Sequence, residues 1–215
     1  AFKRFLSKWN AQATVQTANK KEDNGGFQLN PSSGSIADTN LILLNTNIAN
    51  TLSYNRFSTS WGVDVTQVRN AVKALLTYGF ETRTLSDYTI RLRKNIGNYF
   101  TILLSAKTGD NTLVTPNPKF DNRNFAIQYF GLSPSLIYTM GTRFRSSVAY
   151  KWDKKDGESG ALPQLSTINS LLLESKYNLV QSGVFTAKFS YSNIQFSGTP
   201  NSTVSFIMLE GLQPG

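Results

Sequence analysis

The stretch Phe57-Ser-Thr-Ser-Trp-Gly-Val-Asp-Val65 alternates between two kinds of side chain: Phe57, Trp61, Val63 and Val65 share one parity with Thr59, and Ser58, Ser60, Gly62 and Asp64 share the other. A period of two marks a β-strand with unlike faces, because successive side chains point to opposite sides of a sheet. The pattern returns at Phe144, Val148, Tyr150 and Trp152 against Arg145, Ser147 and Lys151, and again at Phe185, Ala187, Phe189 and Tyr191 against Thr186, Lys188, Ser190 and Ser192. Helical spacing is scarce, so the fold class is all-β.

Extending this reading over the chain predicts about ten strands, at 4–17, 41–54, 56–66, 87–96, 99–107, 123–139, 143–153, 165–180, 183–197 and 202–210. Most are about ten residues or longer, where five or six is usual. One is irregular: its apolar positions change from odd (Phe125, Ile127, Tyr129) to even (Leu136, Tyr138, Met140), which predicts a bulge near residues 131–134.

The connections are of two kinds. Short ones at 54–56, 96–98, 140–143 and 181–183 carry the Gly or Asn of hairpin turns. Long polar ones cover 19–40, 67–86, 108–122, 153–165 and 198–201, and the two kinds alternate if 67–86 is one excursion. In an antiparallel up-and-down meander this puts every tight turn at one end and every long loop at the other. Together with long two-faced strands, that asymmetry is the pattern of a transmembrane β-barrel. The whole of 1–215 then forms one barrel domain or a fragment of a larger barrel. A barrel is favoured over an open sheet in hydrocarbon because each unpaired backbone group there costs several kcal/mol.

Composition removes other classes. The chain has no histidine and no cysteine, which excludes Ser-His-Asp and Cys-His triads, thiolate or imidazole metal sites and redox CxxC pairs. It also contains no G-x-S-x-G, P-loop or G-x-G-x-x-G motif. No catalytic residues, metal site or cofactor are nominated, and the expectation is a protein that is not an enzyme. The acidic group Asp153, Asp156 and Glu158 matches no EF-hand spacing and is interleaved with Lys151, Lys154 and Lys155. Net charge is +9, yet charged residues make up only 16% of the chain, below the roughly 25% of soluble domains. The basic residues are spread along the chain instead of forming a patch, which argues against nucleic acid as a partner. No apolar run reaches the ~20 residues of a membrane helix, and residues 1–6 lack the layout of a signal peptide.

With the aromatic faces toward lipid, parity turns Lys8, Arg91, Arg93, Lys107, Arg145, Lys151, Lys176 and Lys188 inward, against only Asp64 and Glu174. Such a lumen is strongly positive and suits an anionic solute or an acidic plug. Trp9, Tyr54, Tyr99, Tyr138, Tyr150, Trp152 and Tyr177 are the candidates for interfacial aromatic girdles. The loop cations Lys20, Lys21, Arg69, Lys73, Lys119, Arg123, Lys154 and Lys155 suit lipopolysaccharide phosphates. The competing architecture is a soluble sandwich-like binding or adhesion module of the cell envelope, with a second sheet covering the aromatic faces.

The C-terminal third, Met140-Gly-Thr-Arg-Phe-Arg145 with Tyr150-Lys-Trp-Asp-Lys-Lys155, Lys176-Tyr-Asn-Leu-Val180 and residues 201–215, resembles the C-terminal barrel region of large outer-membrane proteins of Bacteroidetes-type bacteria. Tyr54-Asn-Arg-Phe-Ser-Thr-Ser-Trp-Gly62, Lys73-Ala-Leu-Leu-Thr-Tyr-Gly-Phe80 and Pro118-Lys-Phe-Asp-Asn-Arg123 extend the resemblance over most of the chain. It implies a location in the outer membrane, lipid and lipopolysaccharide as surroundings, and a longer parent protein with further envelope subunits or an upstream plug domain. It brings no catalytic residues. Both ends read as cut, since residues 212–215 resemble a turn and not a terminal aromatic strand.

Overall fold

The computed structural model describes residues 7–21, 41–77, 79–159, 162–179 and 183–198. They form a single antiparallel sheet of nine strands in the order of the chain, a plain up-and-down meander. The strands are β1 (Trp9–Lys21), β2 (Leu41–Tyr54), β3 (Trp61–Leu76), β4 (Gly79–Ile96), β5 (Phe100–Val114), β6 (Phe125–Met140), β7 (Phe144–Ser159), β8 (Leu162–Leu179) and β9 (Gly183–Ser197). Each pairs only with its neighbours in sequence, and β1 and β9 are the two edges, so among the described residues the sheet is open and not closed into the expected barrel. The predicted strand at 202–210, the start of the first one and the loop over 22–40 lie outside the described residues.

The strands are 13 to 18 residues long, which corrects the expected lengths. The segment 67–86 is not a loop. β3 and β4 run on through it as a ladder from Gln67↔Tyr88 to Leu76↔Gly79, so it is one excursion in the form of a hairpin arm. Similarly, β5 continues to Val114, and β7 and β8 stay paired from Asp156↔Leu165 onward. Between β5 and β6 a short 3-10 helix, Pro118–Arg123, is capped by Asn117, whose side chain accepts from the Lys119 N–H. The expected contrast between a tight-turn end and a long-loop end does not hold: β3–β4 and β7–β8 are separated by two residues each, as short as the turns at the opposite end, because the polar stretches read as loops are paired strand. At that opposite end Gly97 and Gly141 open two turns with φ of 59° and 57°, which a side chain adopts only under strain. The connection after β2 is longer than expected and covers 55–60, so Phe57 sits in a turn and not in a strand.

No bulge interrupts β6. Its register against β5 is continuous from Leu113↔Phe125 to Phe100↔Tyr138, and the flanking pairs with β7, Leu132↔Trp152 and Ser135↔Ala149, keep one frame across Pro134. Phe125 and Ile127 therefore point to one face and Leu136, Tyr138 and Met140 to the other. The change in apolar parity is a change in which face is apolar, not a slip of the strand.

That change is clear in β3, β5, β6 and β9 and defines two zones there, whereas β2 keeps Ile48 and Leu44 on the aromatic face. At the end of the sheet that holds Gly97 and Gly141, one face carries Trp9, Val15, Leu52, Tyr54, Trp61, Val63, Leu92, Ile102, Leu104, Leu136, Val148, Leu173 and Phe189, related by register across all nine strands. The opposite face there is polar. Toward the other end the same aromatic face becomes polar, with Arg69, Thr84, Asp110, Thr112, Gln128, Asp156 and Thr167. The formerly polar face there holds the buried core: Phe125, Ile127 and Ile168, with Leu113 and Phe196 packed against the first two. Phe196 in β9 reaches Phe125 and Ile127 in β6 past the narrow Gly157 and Ser166, which requires strong curvature with the polar face concave.

Candidate functional site

Rings follow one another along the turn end of the aromatic face. Trp9 meets Tyr54 at 4.9 Å between centroids, and Tyr54 meets Trp61 at 5.3 Å. Further along, Phe100 meets Tyr138 at 5.0 Å, Tyr138 meets Phe144 at 6.1 Å, and Phe144 meets Tyr177 at 6.4 Å. Tyr177 then stands opposite Phe185 in register. Tyr99 lies in the 97–99 turn and packs on Tyr138 at 6.3 Å. At the far end of the apolar zone Phe130 and Trp152 contact edge-on at 5.8 Å. From Tyr138 to Phe130 in β6, and from Phe144 to Trp152 in β7, is eight residues each, or about 26 Å along a strand.

The strands cross this girdle obliquely. Following register from Trp61 through Lys94, Ile102, Leu136, Val148 and Leu173 leads to Phe189, four residues from the girdle residue Phe185. Four residues over six strand steps is about 13 Å in about 29 Å, a tilt of about 25°. Polar groups inside the apolar zone bond to each other along the sheet: Ser146 Oγ and Ser175 Oγ are 2.9 Å apart, and Tyr150 OH donates to Asn169 at 2.8 Å. Asn50 donates to Gln67 at 3.3 Å, and Gln67 to Tyr88 OH at 3.3 Å.

On the polar face, Arg91, Arg93, Lys107, Arg145, Lys151, Lys176 and Lys188 all project to the same side, as their parity predicts, and so do Asp64 and Glu174. Their surroundings differ. Lys8 lies in the turn before β1, where its carbonyl accepts from Asn55 N–H at 3.0 Å. Arg93 is a clamp: its guanidinium donates to Arg56 O at 3.1 Å and Ser58 O at 2.9 Å, folding the 55–60 turn against this face. Gly62 makes the room, since a Cβ there would lie 3.0 Å from Asn55 O and 3.3 Å from the Arg93 guanidinium. Ser53, just before that turn, and Asn55, at its start, are buried. Arg145 stands directly opposite Lys176, and Lys188 directly opposite Glu174.

A hollow of about 740 Å³ opens on this face across β3 to β7. Its cations are Arg83, Arg91, Lys107, Lys151 and Lys155, its carboxylates Asp87 and Asp153, and Thr66, Thr89, Ser105 and Ser133 supply hydroxyls. Lys107 Nζ is 3.2 Å from Asp87, and Lys151 Nζ is 2.7 Å from Asp153. Tyr129 OH also donates to Asp87, reaching from β6 to β4 across Gly109. Glycine is required there, because a Cβ on Gly109 would lie 2.1 Å from Ser86 O. Gly131 in the same way accommodates the Asp153 carboxylate.

Asp87, Asp153, Arg83, Tyr129 and Lys155 are missing from the expected lining: Arg83 and Lys155 fall in segments that read as loops, Asp87 and Asp153 at the ends of strands, and Tyr129 counts among the apolar positions of its strand. The signal was present in part: Arg83, Leu85 and Asp87 continue the odd parity of Arg91 and Arg93 without a break. The face thus gains Asp87, Asp153 and Glu81 among the acids and Arg83 and Lys155 among the cations, and ion pairs offset part of its charge. Asp153 and Asp156 fall on opposite faces of β7 and do not converge on one ion. No family model, curated protein or solved structure matches the chain.

Proposed function

We propose that this chain is an outer-membrane β-barrel, or part of one, that works without catalysis as a channel, transporter component or surface scaffold. The observation that carries this reading is the inversion of face polarity along uninterrupted strands. A soluble two-sheet protein meets its core with one face along the whole strand. Here the apolar face changes sides at the level of Phe130 and Trp152, as expected when the lower part of a strand meets lipid outside and water inside while the upper part meets water outside. The apolar zone, about 26 Å along strands tilted by about 25°, has a height of about 24 Å and matches the ≈25 Å band between the aromatic girdles of such barrels. Lateral bonding of Ser146, Tyr150 and Gln67 fits a surface where water cannot satisfy them. The resemblance of the C-terminal third to outer-membrane barrels of Bacteroidetes-type bacteria supports the same location.

All three tryptophans, Trp9, Trp61 and Trp152, lie at the two girdles, so their native fluorescence reports depth. In vesicles of brominated lipids, bromines near the headgroups should quench this emission strongly and bromines at the chain ends weakly. A monodisperse monomer in detergent-free buffer, unquenched by either lipid, overturns the proposal in favour of a soluble all-β module.

A further inference from the structure

The charges of the hollow are unequal. Lys107 and Lys151 are held by Asp87 and Asp153, and Asp87 is engaged a second time by Tyr129. Neither carboxylate forms an ion pair with the arginines. Arg83 Nε contacts only the neutral side-chain oxygen of Asn111, at 3.4 Å. The Arg91 side chain forms no ion pair or hydrogen bond among the described residues, although it lines the hollow beside Ser105 and Ser133, which share its register row.

We infer that the hollow is a binding site for a multiply charged oxyanion, with Arg91 as its main ligand. A guanidinium presents a planar fork of N–H donors that matches phosphate and carboxylate oxygens. Ser105 and Ser133 add hydroxyl donors in the same row. The volume of about 740 Å³ far exceeds one phosphate and suits a longer solute. Arg83 stands eight residues from Arg91 in β4, about 26 Å along the strand, and draws such a solute toward the far end. The inference rests on the proposed barrel in taking this face as the wall of a water-filled interior.

Calorimetric titration of the full chain, refolded in zwitterionic detergent, with tripolyphosphate tests the site. The expected result is saturable binding at least tenfold tighter than for orthophosphate, weakened at least tenfold by Arg91→Glu. Lys154→Glu, which makes the same change of charge on the opposite face, should stay within twofold. Asp153→Asn should strengthen binding about threefold by releasing Lys151. If Arg91→Glu fails to refold, as judged by circular dichroism, Arg91→Gln serves with the same readout. Absence of saturable binding, or equal losses in the Arg91 and Lys154 variants, overturns the site. Because the measurement is made in detergent, it is separate from the lipid-quenching result: a folded barrel that ignores tripolyphosphate refutes the site alone.

Discussion

Gly109 and Tyr129 show how much depends on one missing Cβ. The Tyr129 ring crosses β5 only because Gly109 leaves its surface bare, and the hydroxyl then ties β6 to Asp87 in β4. Gly109→Ala should destabilise the fold by about 2 kcal/mol through overpacking against the Ser86 carbonyl and the Tyr129 ring. Tyr129→Phe should cost about 1–2 kcal/mol by removing a charge-assisted hydrogen bond. Urea unfolding in micelles measures both, and unchanged midpoints would contradict the close approach. Arg93 acts on a turn instead of on a strand. Replacing it by Met removes the donors to Arg56 O and Ser58 O, so tryptic cleavage after Arg56 should accelerate at least tenfold. Equal cleavage rates would mean that the clamp does not hold the 55–60 turn.

Strands β3, β5, β6 and β9 face two surroundings along their length, and β6 shows this most clearly. Leu136 and Gln128 have the same parity and point to the same face, yet Leu136 lies opposite Ile102 and Val148 whereas Gln128 lies opposite Asp110 and Asp156. Arginine at position 136 should therefore cost about 2–4 kcal/mol in folding into vesicles, and arginine at 128 about 0–1 kcal/mol. Reversible urea titration in lipid gives both values, and similar costs at the two positions would remove the boundary at Phe130. The tight-turn end was legible from the sequence because Gly and Asn there sit next to aromatic residues. The other end was not, because long polar stretches suggest loops whether or not their backbones are paired.

For the whole molecule, the consequence is a polar face whose cations are partly offset by acids. With Lys107 and Lys151 paired to acids, Arg83, Arg91, Arg93, Arg145 and Lys176 are left to set the field of the polar face. In planar bilayers this predicts anion preference at 0.1 M salt, where the Debye length is ~10 Å, and little preference at 1 M, where it is ~3 Å. Charge reversal at Arg91 and Arg145 should reduce the preference, and cation preference in the unaltered chain would contradict the assignment of the inner face.

Alternation along single segments was enough to establish the all-β class and to set the seven strand cations opposite the aromatic positions of their own strands, and the short turns between segments added the antiparallel meander. Those properties are local, since a period of two assigns each residue to a face without reference to any other strand. The extent of β3 and β4, the unbroken register of β6, the Asp87–Lys107–Tyr129 cluster and the Arg93 clamp came only with the tertiary structure. Parity states which residues share a face but not what that face meets. Which side is buried at a given height depends on curvature and register summed over the neighbouring strands, and the ion pairs join residues that only the ladder brings together.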